Sequence, residues 1–112
     1  MAGVTDVPFR SLCRSFMDQG LAASSRDTVK PNHAPGLFVN QMITARAFVE
    51  ENKKTMKLAE FGENESPRSI QLYGTEPRSI KEAVQKLLAS ECVEHIDLNF
   101  GCPVPKLSLI HI

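Results

Sequence analysis

Three short runs fix the class of fold this chain can adopt. "GLFVNQMI" (Gly36 to Ile43), "RSIQLYG" (Arg68 to Gly74) and "EHIDLNF" (Glu94 to Phe100) have strand length and strand composition. Between them lie longer segments whose apolar residues recur every three or four positions. "TARAFVEENKKTMKLAEF" opens at Thr44 and turns Phe48, Val49 and Met56 inward. "TEPRSIKEAVQKLLAS" opens at Thr75 and sets Ile80, Val84, Leu87 and Leu88 on one face. Strand, helix, strand, helix, strand is the order of βαβ units, and such units build a parallel sheet.

A further helix precedes the first strand. In "TDVPFRSLCRSFMDQG" either Thr5 or Asp6 serves as N-cap and Pro8 falls in the first turn. Phe9, Leu12, Cys13 and Phe16 form its apolar stripe, and Gly20 is its natural stop. Residues 17–35 are polar, small and proline-bearing, and long for a connection, so they read as an excursion loop.

Composition narrows the function classes. The 112 residues suffice for one small domain, and 42% hydrophobic with 23% charged content is ordinary for a globular chain. Thirteen basic residues balance thirteen acidic ones, so no global field draws in nucleic acid, although a local basic groove remains compatible with neutrality. The sequence has no apolar run of membrane-spanning length and no signal-peptide pattern, which implies no membrane partner. Cys13, Cys92 and Cys102 are odd in number and far apart, which fits a reduced, cytoplasmic chain better than a disulfide framework.

Side chains alternate across a strand, so parity assigns faces. Ile70 and Leu72 take one face of their strand, and Ser69, Gln71 and Tyr73 the other. Ile96, Leu98 and Phe100 take one face of the next strand, and Asp97 and Asn99 the other. A parallel sheet covered by helices is apolar on both faces. Two polar stripes therefore point into a site, which in a barrel lies at the carboxyl ends of the strands. Gln71, Asn99 and Cys102 would gather there. Cys102 stands between Gly101 and Pro103, with Pro105 beyond, on a turn that prolines stiffen.

A cysteine held so is positioned for chemistry. As a nucleophile it needs a base beside it. His95 is at the far end of its strand, His33 is in the loop and His111 is near the end of the chain. One cysteine with scattered histidines has no zinc spacing, so no metal site is expected. The remaining role is general acid, since an unperturbed thiol is protonated at neutral pH.

"MAGVTDVPFR", "RSIQLYGTEP" and "HIDLNFGCPVPK", in this order and spacing, closely resemble the tRNA-dihydrouridine synthases. The resemblance covers most of residues 1–106, except across Leu21 to Pro35. It implies an α/β fold, the first part of a TIM (β/α)8 barrel that in the family precedes a smaller helical domain. It also implies FMN as cofactor, NADPH as reductant, and a uridine of tRNA whose C5–C6 bond is reduced. Cys102 would then be the catalytic acid at C5, Asn99 would hold the uracil edge, and Gln71 would contact the isoalloxazine ring. Met1, Ala2 and Gly3 match the loop that wraps the flavin, while Thr5 and Asp6 shape the turn and cap the helix. Arg46, Lys53 and Lys54 are candidates for phosphate contact, although charges on a helix face are more often simply solvated. The role of Gln41 is left open, and a monomer is expected.

The pattern departs from the family at both ends. The family has a strand before "MAGVTD", and after "CPVPK" a glycine-rich loop, further strands and the FMN phosphate site. "LSLIHI" (107–112) resembles nothing there and reads as a non-native tail. About half of a barrel of ~250 residues is present. Such a part-barrel, with unpaired edges and half a core, is expected to fold poorly and to be inactive alone. Two alternatives stand beside this reading: another flavin barrel acting on pyrimidines, similar to dihydroorotate dehydrogenase, and a truncated, non-catalytic product.

Overall fold

A computed structural model describes residues 3–24 and 36–100. Its elements run α1 (Val7–Ser24), β1 (Val39–Thr44), α2 (Ala45–Val49), α3 (Lys53–Leu58), β2 (Ser69–Tyr73), α4 (Pro77–Ala89) and β3 (His95–Leu98). The three strands form one parallel sheet in the order β1-β2-β3. This is the expected alternation, an α/β part-barrel in which strands and helices succeed one another.

One face of the sheet carries the core. Ile70 and Leu72 of β2 are fully buried, and Ile43, Ala45, Phe48, Ala83, Leu87 and Val93 close around them. Burying a side chain of this size contributes about 1.5–3 kcal/mol, so this cluster dominates the favourable side of folding. At the exit of β2 the backbone passes so close to α2 and α4 that a Cβ on Gly74 would stand 3.3 Å from Ile80 and 3.6 Å from Ala45. Ile80 and Val84 pack against the core, but Leu88 is 59% exposed, and Ala83 takes the inward place expected for it. Leu88 sits one position too far round the helix.

The segment from Thr44 is two helices, not one. Thr44 caps α2, its side chain accepting from the Ala47 N–H at 3.1 Å, and Asn52 caps α3, accepting from Lys54 and Thr55. Between them Glu51 has φ +55°. Its N–H reaches the Phe48 carbonyl and the Asn52 N–H reaches that of Ala47, which is a Schellman ending made without glycine. The break lets Phe48 stay buried and turns Met56 outward. Glu91, with φ +51°, ends α4 in a related way, its N–H bonding to Leu88.

α1 differs more from expectation. Asp6 is its cap, accepting from the Phe9 N–H at 3.0 Å. The helix passes through Gly20 to Ser24, so the first part of the expected excursion loop is helical; residues 25–35 lie outside the described residues. The apolar stripe does not face the core either. Phe9, Leu12 and Phe16 are exposed, Phe16 by 65%, while Arg10 is 2% exposed.

A buried ion pair explains that rotation. A guanidinium has five N–H donors, and Arg10 places all of them. Nε and Nη2 bind the Glu65 carboxylate at 2.5 and 2.8 Å, Nη1 donates to the Thr5 carbonyl and to Asn40 Oδ1, and Nη2 also reaches the Glu60 carbonyl. Glu65 in turn accepts from the Gly62 N–H at 2.6 Å. Burial pushes the Glu65 carboxyl up, but the Arg10 and Gly62 hydrogen bonds and the charges of Arg10 and Arg14 outweigh it. They hold it below the ordinary carboxylate range. This hub joins the first loop, α1, β1 and the loop before β2.

Candidate functional site

The opposite face of the sheet is polar, as strand parity requires. Gln71 is in register with Met42 of β1 and with Asp97 of β3. Its Nε2 donates to Asp97 Oδ2. Asn99 follows β3 and is tied to β2 by its own backbone N–H, which donates to the Leu72 carbonyl at 2.9 Å. Its Nδ2 lies 3.4 Å from Gln71 Oε1 and 3.2 Å from Met42 Sδ. Gln71, Asp97 and Asn99 are all half-buried. They form a short row of side-chain dipoles near the carboxyl ends of β2 and β3, where ligands bind in parallel α/β sheets.

One rung toward the amino ends, Ser69 Oγ and His95 Nδ1 are 2.8 Å apart. His95 is thus engaged by the neighbouring strand on the same face, at the end of β3 away from Asn99. An apolar cavity of about 400 Å³, lined by Phe48, Phe61, Leu87, Cys92 and Val93 among others, lies among residues that precede β2 and β3 and end α4. It does not include the amide row, so we place the candidate site at the row.

The first loop approaches β1 by a different route. Between Val39 and Met42 the pairing of β1 with β2 shifts register, and the residues in that irregularity are Asn40 and Gln41, both buried. A bulge re-aims side chains. Here Asn40 bonds Arg10, and Gln41 Oε1 accepts from the Gly3 N–H at 2.7 Å. Gly3 has φ +85°, a conformation that favours glycine, and a Cβ there would meet nothing within 4 Å. The loop is anchored by Gln41 below and open at Gly3 above.

The sequence-predicted residues therefore divide. Gln71 and Asn99 are brought together, and Gly3 is anchored to β1 through Gln41. Met1, Ala2 and Cys102 lie outside the described residues. Arg46 pairs with Glu50 on the exposed face of α2 at 2.9 Å. Sequence reasoning put Asp97 on the right face but gave it no role, and it missed Arg10, Asn40 and Glu65 altogether. Arginines within an apolar helix segment (Arg10 and Arg14) and the glutamates of the polar loop "GENESP" were the available signals.

A carboxamide row over a thioether suits a flat heterocycle. Amides present both donors and acceptors to the carbonyls and imide N–H of a pyrimidine-like edge, and sulfur packs well against an aromatic face. Comparison with known proteins bears on the family. The family model described as Dihydrouridine synthase (Dus) matches residues 1–110. The chain belongs to the dihydrouridine synthase family.

Relatives in this family include a "Probable tRNA-dihydrouridine synthase" of Mycobacterium tuberculosis, 44% identical over 96% of this chain and 25% of that protein. The Mycobacterium leprae protein of the same name is 40% identical, covering 96% of this chain and 30% of its own length. "tRNA-dihydrouridine synthase B" of Pseudomonas aeruginosa is 34% identical over 96% of this chain and 27% of that protein. The chain thus spans between a quarter and a third of the dihydrouridine synthases it matches. No solved structure matches it significantly. Among the described residues, no helix is long and apolar enough to cross a membrane.

Proposed function

We propose that this chain is the amino-terminal part of a flavin-dependent barrel enzyme that reduces the C5–C6 bond of a uridine in tRNA. The observation that carries the reading is the Gln71–Asn99 amide row at the carboxyl ends of β2 and β3, in a chain of the dihydrouridine synthase family. FMN, when bound and reduced by NADPH, would supply hydride chemistry at C6 of the uridine.

The chain's own residues supply positioning and a proton. Asn99 holds the uracil edge, and Gln71 meets the edge of the isoalloxazine ring. Met1, Ala2 and Gly3 belong to the first loop, which would wrap the flavin, and Gly3 leaves room there for a close approach of its backbone. Cys102, three residues beyond Asn99 and set between Gly101 and Pro103, gives its thiol proton to C5. Hydride at C6 and proton at C5 complete a saturated 5,6-dihydrouracil, and the thiolate is reprotonated from solvent. The target base must leave its stack in folded tRNA to reach the mouth of a barrel. Lys53 and Lys54 are exposed on α3 and can meet the phosphate backbone, and Lys54 lines a hollow with Asp6 and Val7 beside the first loop. The enzyme acts as a monomer in the cytoplasm, where its substrate is found.

Replacing Cys102 by alanine in the full-length protein tests the assignment. The variant is expected to retain FMN and accept electrons from NADPH, while dihydrouridine formation falls at least about a hundredfold, the usual contribution of a general acid. Unchanged formation of dihydrouridine would remove Cys102 from the chemistry. Reduction of free orotate in preference to tRNA would move the protein to a different flavin barrel.

A further inference from the structure

We propose that Asp97 is a positioning residue that fixes which way round the Gln71 carboxamide stands, and through it the carboxamide of Asn99. The inference rests on the reading that Gln71 faces the flavin. A glutamine amide can present either its oxygen or its NH2 to a ligand, and the two ends have nearly the same shape. An ionised carboxylate removes that freedom because it only accepts.

Asp97 Oδ2 takes the Gln71 Nε2 hydrogen, in a pair of residues that the sheet register sets side by side. Gln71 Oε1 must then turn away from Asp97, and it lies 3.4 Å from Asn99 Nδ2. The same Asn99 nitrogen faces the Met42 sulfur at 3.2 Å, also only an acceptor. Two acceptors thus draw the Asn99 NH2 toward Gln71 and Met42 and turn Oδ1 the other way within the amide plane. The order of dipoles runs from Asp97 through Gln71 to Asn99, and its sense is set at Asp97.

A scaffold role does not account for Asp97. Among the described residues its carboxylate forms no ion pair, and the β2–β3 register persists through backbone pairing on either side of it. His95 is the other titratable group on this face of β3, and it is engaged with Ser69. What Asp97 uniquely adds is direction. The ligand it prepares the row for is a heterocycle that meets a fixed pattern of acceptors, as a flavin or uracil ring edge does.

The test is a set of variants of the full-length protein, read by FMN dissociation constant and thermal midpoint. Asp97→Asn keeps shape but offers Gln71 either a donor or an acceptor, so the row loses its sense. It is expected to weaken FMN binding about tenfold with little change in the thermal midpoint. Asp97→Asn combined with Gln71→Glu reverses the pair. The introduced amide on β3 donates, the introduced carboxylate on β2 accepts, and an acceptor again faces Asn99. That double variant is expected to return to within about threefold of the original affinity.

Several outcomes overturn the inference. Gln71→Ala weakening FMN binding while Asp97→Asn does not would keep Gln71 at the flavin and dismiss Asp97. An Asp97→Asn variant that fails to fold, or a double variant that does not recover, would assign Asp97 to the scaffold. Unchanged affinity in Gln71→Ala would remove the flavin reading and this inference with it.

Discussion

Two polar clusters lie on the same small sheet and behave oppositely. The Arg10 hub is closed: all five guanidinium hydrogens have partners, and the carboxylate and amide that receive them are buried. The Gln71–Asp97–Asn99 row is half-open, with an ordered sequence of dipoles and a solvent side. Complete satisfaction under burial leaves nothing to offer a ligand, so the hub is scaffold. Partial burial with a fixed donor–acceptor order is what a binding surface needs. Chemical type does not separate the two clusters, since each contains a carboxylate and an amide. Burial and completeness do.

The comparison breaks most decisively at Arg10. Arg10→Met takes from buried Glu65 the cation that hydrogen-bonds it and leaves only the charge of Arg14 acting on it, and removing one partner of a buried pair costs about 3–5 kcal/mol. Urea unfolding of the full-length protein should show that loss, and a loss under about 1 kcal/mol would mean the hub is not holding the fold.

Acid should find the same hub. Glu65 has a folded pKa below its ordinary value. Its contribution is therefore fully present above that ordinary value and is lost as pH falls through the lowered folded one. Unfolding midpoints measured from neutral pH downward should decline through that acid window. In Glu65→Gln this component of the decline should be missing, although the variant starts from lower stability.

At the open row the expected balance is reversed. Gln71→Ala should change stability by less than about 1 kcal/mol, the scale of one hydrogen bond. FMN affinity should fall tenfold or more. Equal losses in stability at Gln71 and at Arg10 would erase the distinction between site and scaffold.

The smallest effect belongs to a turn outside both clusters. Glu91 sits in the left-handed region after α4, where an L side chain is disfavoured and glycine is not. Glu91→Gly should raise stability by roughly 0.5–1 kcal/mol with no change in FMN affinity. A decrease would show that the Glu91 side chain contributes more than its strained backbone costs.

Much of the polar row was readable before any coordinates. Once "RSIQLYG" and "EHIDLNF" are strands, a period of two leaves no choice about which side chains share a face. Gln71, Asp97 and Asn99 were placed together on that ground. The hub was not readable. Arg10 and Glu65 are 55 positions apart, and no local pattern couples them. The helical period of α1 correctly announced a helix but pointed Phe9, Leu12 and Phe16 at the core, because periodicity ranks residues by polarity and cannot see a buried carboxylate waiting on another loop. Glu51 misled in the same manner: a glutamate is a good helix former, and only the packing of Phe48 against the sheet makes it worth ending α2 there.

The order of strands and helices, the faces of β2 and β3 and, through three motifs, the family were all legible in local pattern. These follow from spacing along the chain, which backbone geometry converts directly into direction. Tertiary structure alone decided the rotation of α1, the anchoring of Gly3 by Gln41 across a bulged strand, and the sense of the amide row. Each depends on which groups from distant parts of the chain meet, and on whether the donors and acceptors that meet are satisfied.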